Sequence, residues 1–183
     1  PDNIPNSGDD DGYVDGLAVV YSGCGPDWYP TNNSIWPHKS RLGSKQYISD
    51  DMGANGNNII VDTYFVSPEL AGGGECFTDV IRPMGVYAHE FGHILGLPDF
   101  YDRDHSDGYS SGLGEWCLMA SGSWLGWGGD TPAHMSAWCK EELGWISATT
   151  LIENSSSVEI PDASSEPFAI KPWEDDLNWT RYL

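Results

Sequence analysis

Basic side chains are scarce in this chain. Eight Lys and Arg stand against 28 Asp and Glu among 183 residues, a formal net charge of −20. A surface so acidic repels polyphosphate and anionic lipid, which excludes nucleic acid and membrane as partners. Long hydrophobic runs are missing as well: none approaches the roughly 18 residues that a membrane helix needs. Cysteine is sparse, and Cys24, Cys76, Cys117 and Cys139 include no CxxC pair, which argues against a zinc ribbon. There is no internal repeat.

What is present is a globular composition, 39% hydrophobic and 13% aromatic with nine Trp, in a length that suits one compact domain. An even cysteine count suggests two disulfides. Of the three pairings that can be drawn, Cys24–Cys76 with Cys117–Cys139 is preferred, and four buried thiols are the alternative. The chain opens on Pro1 with no charged-then-apolar leader and stops inside the strand-like Trp179-Thr-Arg-Tyr-Leu183. A longer, truncated parent is therefore expected, with any signal or pro-segment outside this sequence.

Two apolar blocks, Gly16-Leu-Ala-Val-Val-Tyr21 and Ile59-Ile-Val-Asp-Thr-Tyr-Phe-Val66, have strand length and composition, and residues 22–58 between them read as mostly irregular. From about Val80 the pattern changes. Met84, Tyr87, Ala88, Phe91, Ile94 and Leu95 fall at helical spacings, and Gly96 and Pro98 end the helix. Residues 99–130 are Gly-rich, and a second helix is expected from Pro132 to Leu143, before Gly144. Beyond it the chain alternates weakly between three prolines. The fold class is α+β, with a catalytic domain over 1–145 and a short β-rich extension over 146–183 that begins a further domain.

The chemistry lies at the end of the first helix. His89-Glu90-Phe91-Gly92-His93 is an HExxH motif. Residues i and i+4 of a helix lie about 40° apart in rotation, so both imidazoles reach one ion while Glu90 faces a metal-bound water without ligating. Two ligands do not hold a metal tightly. The continuation to Gly96 and Asp99 completes HExxHxxGxxD: Gly96 lets the chain turn back, and Asp99 becomes the third ligand. Two neutral His, one carboxylate and an open fourth position describe a catalytic zinc site rather than a closed structural one. Glu90 is the candidate general base. Tyr101, His105 and Tyr109 are candidate donors to the oxyanion.

His89-Glu-Phe-Gly-His-Ile-Leu-Gly-Leu-Pro-Asp-Phe-Tyr-Asp102, Gly114-Glu-Trp-Cys-Leu-Met-Ala-Ser-Gly-Ser-Trp124 and Trp138-Cys-Lys-Glu-Glu-Leu-Gly-Trp145 together resemble the immune inhibitor A-like family of secreted bacterial metallopeptidases. Asp11-Gly-Tyr-Val-Asp-Gly-Leu-Ala-Val-Val-Tyr21 and Ile35-Trp-Pro-His-Lys39 fit less distinctive blocks, so the resemblance covers about residues 9–145. It implies a metzincin-like fold with a mixed sheet, an active-site helix and a Gly-rich lower half. It implies zinc, an extracellular location, protein or peptide substrates, and Met119 as the hydrophobic floor beneath the metal. A monomer is expected.

Weaker signals accompany these. Asp9, Asp11 and Asp15 resemble the start of a calcium loop without its terminal Glu, and read equally as a solvated acidic turn; Asp102, Asp104 and Asp107 form a second candidate calcium cluster, for which a hydrated surface loop is the preferred reading. His38 and His134 stand alone. Trp124 or Trp127 is a candidate for the wall of a substrate pocket. Asn32, Asn154 and Asn178 head glycosylation sequons. The rival to a secreted zinc endopeptidase is a binding or adhesion module with a structural or latent metal site, and an intact Glu90 argues against it.

Overall fold

The computed structural model describes residues 11–27, 34–53, 55–72, 75–104, 106, 108–151, 157–162 and 166–171. Along the chain run β1 (Leu17–Cys24), β2 (His38–Arg41), β3 (Tyr47–Met52), β4 (Asn58–Val61), β5 (Thr63–Gly72), β6 (Cys76–Ile81), helix α1 (Met84–Ile94), helix α2 (Ala137–Glu142), β7 (Ser147–Thr150) and β8 (Phe168–Lys171). Asp9, His105, Asp107 and the three sequon asparagines lie outside the described residues.

β5 is the axis of the fold because its Thr-Tyr-Phe-Val block is apolar on both faces, so Phe65, Val66, Ser67 and Pro68 are buried. β1 pairs with it in parallel, while β2 and β6 pair with it antiparallel, which gives a mixed sheet. β3 and β4 form a separate antiparallel hairpin, and β7 and β8 pair in parallel. The strand expected over Ile59–Val66 is thus two strands. The break falls at Asp62, whose buried carboxylate accepts hydrogen bonds from Gly43 N at 2.8 Å and Arg41 Nε at 2.7 Å. A buried carboxylate so satisfied pins the end of β2 to the sheet. Residues 22–58, read as mostly irregular, thus contain β2, held on β5, and β3, held on β4.

α1 packs against β5 and β2, with Tyr87 Oη donating to the Pro68 carbonyl at 2.6 Å. It starts at Met84 rather than near Val80, because Cys76–Ile81 belongs to β6 and Pro83 stands at the N-cap. α2 starts at Ala137 rather than Pro132. The residues before it spend their backbone groups elsewhere: Ala133 N donates to Gly122 O at 2.8 Å and Leu118 N donates to His134 O at 3.1 Å. Ser136 then caps the helix, its hydroxyl accepting from Cys139 N at 3.3 Å.

Beneath α1 lies a core of Leu97, Cys117, Met119, Ala120 and Cys139, with Phe100, Met135, Trp138 and Leu143 packed around it. Cys24 and Cys76 form a disulfide between β1 and β6. The second expected bond is not formed: Cys117 and Cys139 are buried thiols with their sulfurs in contact at 3.9 Å, well beyond the roughly 2.05 Å of a bond. A buried ion pair joins Arg82 to Asp27, and the Arg82 guanidinium lies 5.5 Å from the Trp124 ring centre. Lys171 of β8 meets Glu141 of α2 at 2.8 Å. No helix among the described residues is long and apolar enough to cross a membrane.

Candidate metal centre

The two histidines face one way because α1 is regular between them, and the chain reverses because α1 ends in a two-bond cap. Gly96 N donates to His93 O at 3.2 Å and Leu97 N donates to Gly92 O at 3.0 Å. That pair of bonds needs a left-handed residue at Gly96, whose φ is 96°. The turn brings Asp99 back under the helix.

Each imidazole is fixed by its far nitrogen. His89 Nδ1 donates to the Leu118 carbonyl at 2.9 Å, and His93 Nδ1 donates to the Leu97 carbonyl at 2.7 Å. With Nδ1 committed to a carbonyl, Nε2 is the nitrogen that donates to Asp99 while it carries a proton and that offers its lone pair to a metal once the proton is lost. The two Nε2 atoms face Asp99 Oδ1 at 3.2 Å and 3.1 Å. Ligand atoms 2.0–2.1 Å from a tetrahedral zinc lie roughly 3.3 Å apart, so these separations suit the ion. All three ligand atoms fall within 4.8 Å of one another, and no other group of three such residues occurs among the described residues. The donor set of two imidazoles and one carboxylate fits zinc.

Charge is arranged around this triad. Burial acts to raise the Asp99 carboxyl, but hydrogen bonds from His89 and His93 outweigh it and hold it well below the usual carboxylate range. Burial acts to lower His93, yet the Asp99 bond, the Leu97 carbonyl and two nearby carboxylates leave it raised. Asp99 Oδ2 is held separately by Arg103 Nη1 at 3.0 Å. Glu90 is only 6% exposed, and its burial, partly offset by His89 and His93, raises its carboxyl above the ordinary value.

Met119, the expected floor, is fully buried and lies against Gly92 of α1. A Cβ placed on Gly92 would collide with Met119 Sδ and lie 3.1 Å from its Cε, so a helix this close to the floor requires glycine between the histidines. Phe100 N donates to Met119 O at 2.8 Å, which ties the Asp99 turn to the same segment. Segment 117–120 therefore does two things: its Leu118 carbonyl orients His89, and its Met119 side chain supports Gly92.

A cleft of about 470 Å³ opens over the triad, walled by Trp36, Pro37, His38 and Lys39 on one side and by Gly96, Tyr101 and Arg103 on the other. Of the proposed oxyanion donors, Tyr101 is in the cleft, its ring stacked on His89 at 6.2 Å, while Tyr109 lies outside it and is 83% exposed. Burial, then the Asp99 charge, pushes the Tyr101 phenol up to about 12. His38, isolated in the sequence, joins this wall because β2 pairs with β5. Its Nδ1 donates to the Trp36 carbonyl at 2.7 Å. The expected pocket tryptophans are elsewhere: Trp124 lies against Arg82 and Trp127 stacks on Phe77, and Trp36 takes the cleft position. Among the described residues, the calcium candidates form no group of three that could hold an ion. Asp102 and Asp104 direct carboxylate oxygens at backbone N–H groups of their own loop, Asp104, Ser110 and Ser106, and Asp11 at Tyr13 N.

Comparison with known proteins bears on this geometry. The profile of the immune inhibitor A peptidase M6 catalytic domain matches residues 3–146. Immune inhibitor A of Bacillus thuringiensis subsp. alesti is 31% identical over 144 residues, 74% of this chain and 19% of that protein. Pre-pro-metalloprotease PrtV of Vibrio cholerae serotype O1 (strain M66-2) is 33% identical over 141 residues, 73% of this chain and 14% of that protein. The chain thus spans less than a fifth of either relative's length.

Proposed function

Since the chain belongs to the immune inhibitor A family of metallopeptidases and matches its catalytic domain, we propose that it is a secreted zinc endopeptidase domain, with His89, His93 and Asp99 as the metal ligands and Glu90 as the general base. One observation carries the reading: two imidazole Nε2 atoms converge on Asp99 Oδ1, with a buried carboxyl of raised pKa on the residue next to the first ligand. The Met119 floor favours the metzincin-like form of the fold. The Cys24–Cys76 disulfide agrees with an oxidising, extracytoplasmic location. Calcium has no support beyond the acidic sequence and forms no part of the proposal.

Zinc, when bound, supplies a Lewis acid that polarises the scissile carbonyl and lowers the pKa of its water from 15.7 to about 7. The protein supplies orientation and proton transfer. The Leu118 and Leu97 carbonyls hold both imidazoles in the ligating tautomer. Glu90 accepts a proton from the attacking water and delivers it to the leaving amine, and burial raises its basicity for that task. Tyr101 stays protonated at neutral pH and is the donor nearest to hand for the carbonyl oxygen as its negative charge develops. An unfolded polypeptide laid along the wall from Trp36 to Lys39 is the substrate class that the open cleft admits.

The test is casein hydrolysis by the zinc-loaded domain, by the domain after chelation, and by Glu90→Gln. Cleavage should vanish on chelation and return with zinc. Glu90→Gln should retain one zinc per chain and lose about 10²- to 10⁴-fold in rate. A wild-type domain that binds zinc tightly and cleaves nothing would overturn the peptidase reading in favour of a binding module.

A further inference from the structure

Two nucleophilic groups take no part in the chemistry above. Cys117 and Cys139 are fully buried, their sulfurs are 3.9 Å apart, and both belong to the core around Met119. Their positions are not neutral with respect to the metal site. Cys117 directly precedes Leu118, whose carbonyl orients His89, and Met119, which supports Gly92. Cys139 stands in the first turn of α2, where the Ser136 hydroxyl donates to its sulfur at 3.2 Å. The only covalent tie between these two elements would be through this pair. A disulfide elsewhere in the same chain, Cys24–Cys76, places the protein where such bonds persist.

We infer that Cys117 and Cys139 are an oxidisable dithiol, which a low-molecular-weight disulfide such as glutathione disulfide closes into a second bond, fixing the floor of the metal site to α2. One cysteine thiolate attacks a glutathione disulfide sulfur, forming a mixed disulfide and releasing one glutathione thiolate. The second cysteine, as its proton leaves to solvent, attacks the protein sulfur of that intermediate and releases the second glutathione. The protein loses two electrons and two protons, and one glutathione disulfide becomes two thiols. Cys117 is the attacking group, its thiol held down to about 6 by the hydrogen bond from Cys139 against the opposing effect of burial, while Cys139 is raised by the same contact. Because neither sulfur is exposed, exchange belongs to folding or to local opening rather than to the closed native state.

Formation of the bond is independent of zinc, and its effect on the floor rests on the zinc reading. The experiment refolds the full chain in a glutathione buffer poised oxidising, alkylates it in denaturant without reductant, and maps its peptides. A linked Cys117–Cys139 peptide is expected. Alkylated Cys117 and Cys139 beside an intact Cys24–Cys76 would overturn the proposal. The same protein, reduced under conditions where mapping shows only Cys117–Cys139 open, is then compared with the oxidised form. Oxidised protein should unfold several degrees higher without metal. It should release zinc to a chromophoric chelator more slowly, on the order of tenfold. Equal midpoints and equal release rates would refute the lock. If neither form binds zinc, the proposed function fails, while the peptide map and the metal-free midpoints still decide the dithiol.

Discussion

Replacing Gly92 by Ala tests how the helix and the floor are built together. In an isolated helix the change stabilises by about 1 kcal/mol. Here the new methyl would collide with Met119 Sδ and crowd its Cε at 3.1 Å, with Met135 Cε at 3.7 Å behind. Met119 is fully buried and has nowhere open to move. Overpacking of this kind costs about 1–3 kcal/mol, so the net effect is a destabilisation of about 0–2 kcal/mol. The informative quantity is the coupling. In a Met119→Ala background the collision is gone, and Gly92→Ala should stabilise by about 1 kcal/mol, giving an interaction energy of about 1–3 kcal/mol in the cycle. Urea unfolding of the four metal-free proteins measures it. A Gly92→Ala penalty that is the same with and without Met119 would refute the claim that this glycine exists to admit the floor.

Two further outcomes follow from the site's electrostatics. In the metal-free domain His93 is raised, so its contribution is full below its unfolded value of about 6.5 and lost as pH rises through the folded value. Asp99 is lowered, so its contribution is present above its unfolded value of about 3.9 and lost as pH falls through the folded one. The pair therefore stabilises the metal-free domain most between about pH 4 and 6.5, and urea midpoints should fall from pH 6 toward 8. Asp99→Asn should flatten that fall, and an unchanged profile in the variant would sink the assignment. Tyr101→Phe should lower kcat by about 10²-fold with KM little changed, measured on a fluorogenic peptide. A rise in KM alone would move Tyr101 from transition-state donor to substrate contact.

The cluster of His89, His93 and Asp99 was legible because everything that makes it is local. Eleven residues hold the helical spacing of His89 and His93, the left-handed cap at Gly96 and the returning Asp99, and each obeys a backbone rule that operates without the rest of the fold. β1 was legible for a similar reason, as an apolar block of strand length, whereas the block Ile59–Val66 merged β4 with only the first four residues of β5. β2 and β3 were not legible. His38-Lys-Ser-Arg41 and Tyr47-Ile-Ser-Asp-Asp-Met52 are largely polar, and tertiary pairing makes them strands. The helix expected from Pro132 shows the converse. Its N-terminal residues have a helix-like sequence, but backbone bonds to Gly122 and Leu118 claim them first.

The same division separates the reacting centre from the cleft around it. His38 reaches the cleft only because β2 is held on β5, and β2 is held there partly by Asp62, whose buried carboxylate bonds Arg41 and Gly43. Neither residue carries a motif, and 24 positions separate them in a stretch that reads as loop and strand. Arg103 shows the same limit at short range: it is one turn of sequence from Asp99, yet its bond to the carboxylate oxygen turned away from the histidines depends on the rotamer that the triad imposes. The identity of a metal ligand is fixed by backbone geometry over a few residues. The wall of the cleft is fixed by which strands pair, and pairing is a property of the whole sheet. The His89–Asp99 cluster is therefore readable from a short segment of this chain, whereas the shape of the cleft has to be read from the packing of β2 against β5.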